Sequence, residues 1–374
     1  MTPLDGIVVI DFSTLLPGPM ASLILAEAGA DVTKVERPDG EEMRRYDPDW
    51  DGVSTNFALL NRGKKSVAVD LKNPVDRDRV IAQIARADVL IEQFRPGVMD
   101  RLGLGYAALR ALNPRLVYCS ITSYGQSGPL SMTAAHDLNF VAETGLLALS
   151  SGPVEQPVVP PALIGDIAGG ALPAVINILL ALEQRRRTGD GCRIDVSMAD
   201  NLFPFMYWAL GKGFGTGQWP GRSDGLETGG TPRYRLYPTS DGQLVAAAPI
   251  EQKFWETFCR LIELPPSLAD DAADRVGVIE RVATIVVSRP ASHWRDIFAN
   301  EECCCSIVRS LEQAVAHPHF HARGLFGHEL VSANGAARMP ALPVPLDPGL
   351  RRPAQSLRAP AVGEHNALFE APRP

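Results

Sequence analysis

Two stretches of this 374-residue chain combine acid–base side chains with local settings that could put them to use. One is Ala135-His136-Asp137-Leu138-Asn139-Phe140, and the other is Leu163-Ile164-Gly165-Asp166-Ile167-Ala168-Gly169-Gly170. The apolar run from Ala171 to Glu183 predicts a helix directly after Asp166. A carboxylate at such a helix start faces unpaired backbone N–H groups and the positive end of the macrodipole. An imidazole and a carboxyl held across one carbon could remove a proton from one face and return it to the other. Each residue also has an ordinary structural role open to it. Asp166 could be a helix N-cap, and His136 a hydrogen-bonded core histidine.

Other constellations carry less. The cations Arg37, Arg62, Lys64, Lys65, Arg95 and Arg101 gather near expected strand ends. Ligands of open α/β sheets sit outside the carboxyl ends of strands, where guanidinium forks match phosphate oxygens. Solvated surface charge is the alternative. His317, His319 and His321, with Cys303, Cys304 and Cys305 upstream, raise zinc. Neither spacing suits a tetrahedral ion, and no metal is expected. Tyr124-Gly125-Gln126-Ser127-Gly128-Pro129 lacks the full nucleophile elbow of a serine hydrolase.

A net charge of −7 argues against general nucleic-acid or membrane-surface binding. No apolar run reads as a bilayer span. The start Met1-Thr2-Pro3-Leu4-Asp5-Gly6 lacks a basic signal-peptide region, and the end Ala371-Pro372-Arg373-Pro374 carries no targeting signal. The six cysteines form no disulfide-like spacing, so a reducing, cytoplasmic setting is expected.

The elements that must position these residues alternate. Short apolar runs at 6–12, 31–36, 66–70, 88–92, 116–121 and 193–197 read as strands. Helices fall at 20–29, 77–87 and 171–187, which implies a parallel, doubly wound sheet. Glu36 stands where a dinucleotide-binding protein holds its ribose, but Pro17 and Pro19 occupy the place of the glycine fingerprint. An NAD enzyme is therefore not expected. Gly211–Gly221 reads as a glycine-rich linker. A hairpin with an Asp-Gly turn at 234–248 and helices at 254–264 and 279–288 follow, forming a smaller α+β domain. The boundaries expected are a large domain at 1–197, a linker at 198–224, a small domain at 225–315 and a return segment at 316–374. The proline-rich stretch 340–360 is expected to cover surface rather than form a core.

Over almost its full length the chain resembles the family III CoA-transferases and racemases of the CaiB/BaiF type, and most of all their α-methylacyl-CoA racemases. The resemblance lies in Leu16-Pro17-Gly18-Pro19, Asn61-Arg62-Gly63-Lys64-Lys65-Ser66, Phe94-Arg95-Pro96-Gly97 through Gly105, Gly125–Pro129, Thr188-Gly189-Asp190-Gly191, Ile250-Glu251 and His317-Pro318-His319. It implies an interlocked homodimer of a Rossmann-like α/β domain and a smaller domain, acting on an acyl-CoA. The CoA moiety is then part of the substrate, and no separate cofactor is required. By resemblance, CoA contacts fall on Arg37, Ala58, Leu59, Asn61, Arg62, Lys64, Arg95, Arg101, Ala135, Asp137 and Phe140. His136 and Asp166 would exchange the proton through an enolate, with N–H groups of the Asp166 helix as donors to its oxygen. Glu251, with Asp137, would orient the imidazole.

Transferases of this family resemble the chain at Asp166, where their aspartate is a nucleophile that carries acyl and CoA groups. They usually place an aromatic residue at the position of His136 and a run of glycines near Gly229-Gly230. The chain departs from the racemases at Ala135, usually glycine, and at Leu226-Glu227-Thr228 and Arg233. Racemisation of 2-methylacyl-CoA is the expectation. CoA transfer through Asp166 and non-catalytic acyl-CoA binding are the alternatives.

Overall fold

Six short runs, most of them buried on both faces, build the sheet at the centre of the larger of two units. They are β1 (Val8–Asp11), β2 (Asp31–Glu36), β3 (Lys65–Ala68), β4 (Val89–Glu92), β5 (Val117–Thr122) and β6 (Arg193–Ser197). Their order is β3-β2-β1-β4-β5-β6, with every pair parallel. Both faces of such a sheet must be covered, so its strands read as continuous apolar runs rather than alternating ones. The order reverses between β1 and β4, which opens a crevice at their carboxyl ends. The computed structural model describes residues 1–150, 152, 154–353 and 356–370. Ala371–Pro374, read above for targeting signals, lies outside them.

The larger unit comprises Met1–Thr144, Pro161–Pro204 and His319–Pro374, and the smaller comprises Gly145–Pro160 and Phe205–Pro318. In the larger one, helix α1 (Pro17–Glu27) is buried along its whole length, which accounts for its apolar surface on every side. Helices α2 (Thr55–Asn61), α3 (Pro74–Ile84) and α4 (Asp137–Glu143) follow. Next, a π-helical segment, Gly165–Ala171, runs directly into α5 (Leu172–Thr188). Gly189 ends α5 in the left-handed conformation at φ 85°, where a side chain would be strained.

A buried charge network fixes the turn between β1 and α1. Asp11 accepts from the hydroxyls of Ser13 and Ser22 and lies 3.7 Å from the Lys64 ammonium. Lys34 donates to the Ser13 carbonyl at 2.7 Å and pairs with Glu41 at 3.4 Å. Burial opposes the charge on Asp11, but the two lysines and two hydroxyls outweigh it and hold its pKa below the usual value.

Three expectations need correction. First, the helical run Gly165–Thr188 is, by length and composition, apolar enough to cross a bilayer. Half of its most apolar window is buried in the fold, where it packs against α1, β5 and β6. Second, the supposed linker contains α6 (Tyr207–Thr216). Its Gly213 lies so close to the Trp219 ring that an added Cβ would come within 2.3 Å. Glycine there serves packing, not flexibility.

Third, the proline-rich end builds structure. Strands β10 (Glu329–Val331), β11 (Arg338–Pro340) and β12 (Ser356–Leu357) form a small sheet, after three strands of the smaller unit described below. Leu330 and Ala341 are buried with Ala58 of α2. Pro340 is tolerated because it ends β11, a short strand at the edge of this sheet.

In the smaller unit β7 (Arg235–Pro238) and β8 (Leu244–Ala247) pair antiparallel, with β9 (Cys305–Ile307) beside β8. The intervening turn carries Asp241-Gly242, with Gly242 at φ 76°. Helices α7 (Gln252–Leu261), α8 (Arg275–Val286) and α9 (Ala291–Phe298) enclose Trp255, Phe258, Val282 and Trp294 as its core.

Candidate functional site

A cleft of about 450 Å³ lies at the carboxyl end of the parallel sheet. Leu15 and Pro17 after β1, Gln93, Phe94 and Arg95 after β4, and Thr122 of β5 line it, together with Ala135, His136, Asn139, Asp166 and Met198. This is the crevice where the strand order reverses, the general binding position in open α/β sheets. Gln93 shapes it by accepting from the Gly18 N–H at 3.0 Å, and Gly18 has no room for a Cβ beside Ser13.

His136 stands at the start of α4, fixed through its own backbone. Its N–H donates to Asn139 Oδ1 at 3.0 Å, and its carbonyl accepts from the Asn139 N–H at 2.9 Å. The imidazole is thereby placed at the cleft wall on a helix end rather than on a loose loop. His136 is exposed, so it is no core histidine.

Asp166 enters on the opposing element, and the glycines around it explain how. A Cβ on Gly165 would come within 2.2 Å of the Phe140 ring, and one on Gly169 within 2.4 Å of the Met198 carbonyl. A Cβ on Gly170 would meet both Met198 and Pro17 at 3.0 Å. The three glycines thus let the π-helical segment press against α4, α1 and the end of β6. Asn201 secures it from outside, donating to the Gly169 carbonyl at 2.8 Å. Extra turns of this wider kind recur at functional sites.

Asp166 is not the helix cap, because it already lies inside the first turn and Ile164 occupies the cap position. Its N–H donates to Asp137 Oδ1 at 2.8 Å. That amide is therefore engaged, and an enolate oxygen would draw on other N–H groups of this segment. The Asp137 carboxyl faces this amide, which places it on Asp166 rather than on the imidazole. Burial, with the neighbouring Asp137 charge, raises the pKa of Asp166 to about 7.

The expected CoA-binding residues separate into groups. Ala135 and Arg95 line the cleft with the acid–base pair. Phe140 is buried behind it against Gly165. Arg37 instead lines a second cavity of about 370 Å³ with Lys72 and Glu36, and Phe94 lines both spaces. Arg101 is exposed on the short Val98–Arg101 helix and lines neither.

Arg62 and Lys64 are corrections, since neither side chain is open to a phosphate. Arg62 is buried, donating to Glu27 at 2.8 Å and to the Leu59 and Leu342 carbonyls at 2.7 Å. Lys64 is buried on Asn61 Oδ1, the Pro19 carbonyl and Asp11. Ala58 packs into the small core with Leu330, and Leu59 is half-buried against it. Both basic residues looked available because sequence cannot reveal that Glu27 and Asp11 are buried beside them.

Glu251 is exposed at the N-terminal boundary of α7 in the smaller unit. Among the described residues no three His, Cys, Asp or Glu side chains converge as metal ligands. Gln93, Thr122, Asn139 and Met198 were not foreseen in the cleft. Gln93 and Thr122 directly end or follow strands, so the rule for open α/β sheets could have found them.

With this geometry in place, comparison with known proteins is decisive at family level. The model of CoA-transferase family III matches residues 4–366. Human alpha-methylacyl-CoA racemase is 35% identical over 329 residues, covering 86% of this chain and 82% of that protein. Acetyl-CoA:oxalate CoA-transferase of Acetobacter aceti is 32% identical over 377 residues, covering 98% and 95%. The crystal structure of a CAIB/BAIF family protein from Brucella suis superposes with a TM-score of 0.82 at 28% identity, covering 99% of this chain and 98% of that one. The chain belongs to CoA-transferase family III.

Proposed function

We propose that this member of CoA-transferase family III is a racemase of 2-methylacyl-CoA thioesters. The observation that carries the reading is that His136 and Asp166 line one cleft at the reversal point of the sheet. A thioester acidifies the adjacent C–H, because the electron pair left behind delocalises into an enolate. One group removes the proton from one face, and the conjugate acid of the other returns a proton to the opposite face. The two substrate hands are thereby exchanged with no net change in atoms. An Asp166 that titrates near neutrality suits both halves of this cycle, since neither its acid nor its base form is scarce there.

In this reading Arg95 and Arg37 meet anionic parts of the CoA moiety, which is part of the substrate, and no separate cofactor or metal is required. Orientation of the His136 imidazole by Glu251 is the role that the family resemblance implies. The active form is the homodimer that the family resemblance implies. A cytoplasmic enzyme without nucleic-acid or membrane partners fits the chain's charge and composition. Similarity to the Acetobacter aceti transferase keeps CoA transfer through an Asp166 adduct as the competing reading.

Incubation with (R)- or (S)-2-methylacyl-CoA in deuterated water separates the two. The racemase incorporates α-deuterium and converges on a mixture of both hands. His136→Ala and Asp166→Ala each lose inversion by about a hundred- to ten-thousandfold, the usual contribution of one acid–base group. Each variant retains exchange into one hand only, and the two label opposite hands. Absence of α-deuterium in the wild type, with CoA transferred to a free carboxylic acid through an Asp166 adduct, overturns the proposal.

A further inference from the structure

Asp137 and Asp166 form a carboxyl pair in which the donors fall on one side. Burial raises the pKa of Asp137, and the Asp166 N–H, donating to it at 2.8 Å, and the Gly165 amide pull against that rise. No donor among the described residues acts on the Asp166 carboxyl in the same way. A hydrogen bond from an amide stabilises the charged form of the carboxylate that accepts it. Two adjacent carboxyls cannot both ionise cheaply, so the donors decide which one keeps the proton. We propose that Asp137 is a positioning residue whose charge, fixed by the backbone amide of Asp166, keeps the pair's proton on Asp166. The inference deepens the racemase reading and rests on it for its meaning in the reaction.

The surroundings leave Asp137 as the charged group that does this. The cleft presents His136 and Arg95. Packed elements bring Glu27 on α1, Glu143 on α4, and Arg193 and Asp195 on β6. Asp137 is the one held against Asp166 by a hydrogen bond, at 2.8 Å from its amide, and its charge adds to the larger effect of burial in raising the Asp166 pKa. Gly165 makes the arrangement possible, because its missing side chain lets Asp137 and Phe140 approach. Asp137 does not line the cleft and acts through Asp166.

Titration of 13C-labelled aspartate carboxyls by NMR tests the idea on the full chain, with the Asp166 signal assigned by its loss in Asp166→Asn. Asp137→Asn keeps an oxygen to accept the amide but removes the charge. Its expected effect is to lower the Asp166 midpoint by about one pH unit. The limb of the deuterium-exchange pH profile that belongs to Asp166 moves down with it, while thermal stability stays near wild type. An unchanged Asp166 midpoint overturns the proposal. Should Asp137→Asn lose near-UV circular dichroism, Asp166→Asn reads the order of ionisation from the other side. Asp166 is still neutral where Asp137 ionises, so the Asp137 midpoint then stays at its wild-type value, and a fall in it overturns the proposal. A wild type without any deuterium exchange sinks the racemase reading but leaves both midpoints measurable, so the two ideas fail separately.

Discussion

Holding the Asp166 carboxyl away from water costs the folded chain free energy, and the cost has a sign that pH exposes. Its pKa rises from 3.8 to about 7 on folding, through burial first and the Asp137 charge second. Between those values the folded state binds a proton that the unfolded state has released. Stability therefore falls as pH rises through this window and levels off above it. Below the window both states are protonated and the penalty is absent. Asp166→Asn removes the titration and is expected to stabilise the protein by about 1–2 kcal/mol above neutrality, a figure reduced because the side chain is partly open to the cleft. The gain should vanish toward pH 4. Urea unfolding at the two ends of the window measures it, and an equal effect at both ends would refute the account. The acid–base types were legible in sequence, since His136 and Asp166 are chemically distinctive. Their coupling to Asp137 was not, because it depends on which carboxyl meets the Asp166 amide across two elements.

Glycines at the scale of elements divide into those that hold the site and those that merely occupy a helix. A Cβ at Gly169 meets the Met198 carbonyl at 2.4 Å, a backbone atom that cannot swing aside. Gly169→Ala is expected to destabilise by about 1–3 kcal/mol and to lower kcat by displacing Asp166 with its segment. Gly211 in α6 has nothing within 4 Å and no positive φ. There alanine replaces the weaker helix former, and Gly211→Ala is expected to stabilise by about 0.5–1 kcal/mol. A flexible linker would show no such gain, so an unchanged unfolding midpoint would argue against α6. Strands of the large sheet and the Asp241-Gly242 hairpin were readable, because apolar runs and turn chemistry are local signals. The linker was misread because composition alone cannot tell a glycine that loosens the chain from Gly213, which admits the Trp219 ring. Tertiary packing decides between them.

For the whole molecule, contacts far apart in sequence account for what the residues alone could not convey. Glu27 binds both Arg62 and Arg351 at 2.8 Å, tying α1 to a segment more than three hundred residues away. No local pattern announces such a pairing, so Arg62 read as a free cation and the proline-rich end as a surface cover. The larger unit also leaves an apolar stripe on α5, with Ile176 56%, Leu179 42% and Leu180 64% exposed. The smaller unit leaves Tyr207 74% and Phe214 77% exposed on α6. Isolated apolar surface residues need no explanation, but spacing of three and four along one helix makes a contiguous face. Covering such faces with a second copy is consistent with the proposed homodimer, whose obligate interface would bury roughly 2,000–5,000 Å². Sedimentation velocity is expected to give a dimer that persists on dilution to nanomolar concentration. Leu180→Arg places a charge in that face and is expected to shift the distribution toward smaller, less stable species. A fully active wild-type monomer would remove the dimer from the proposal. A dimer untouched by Leu180→Arg would move its interface off α5.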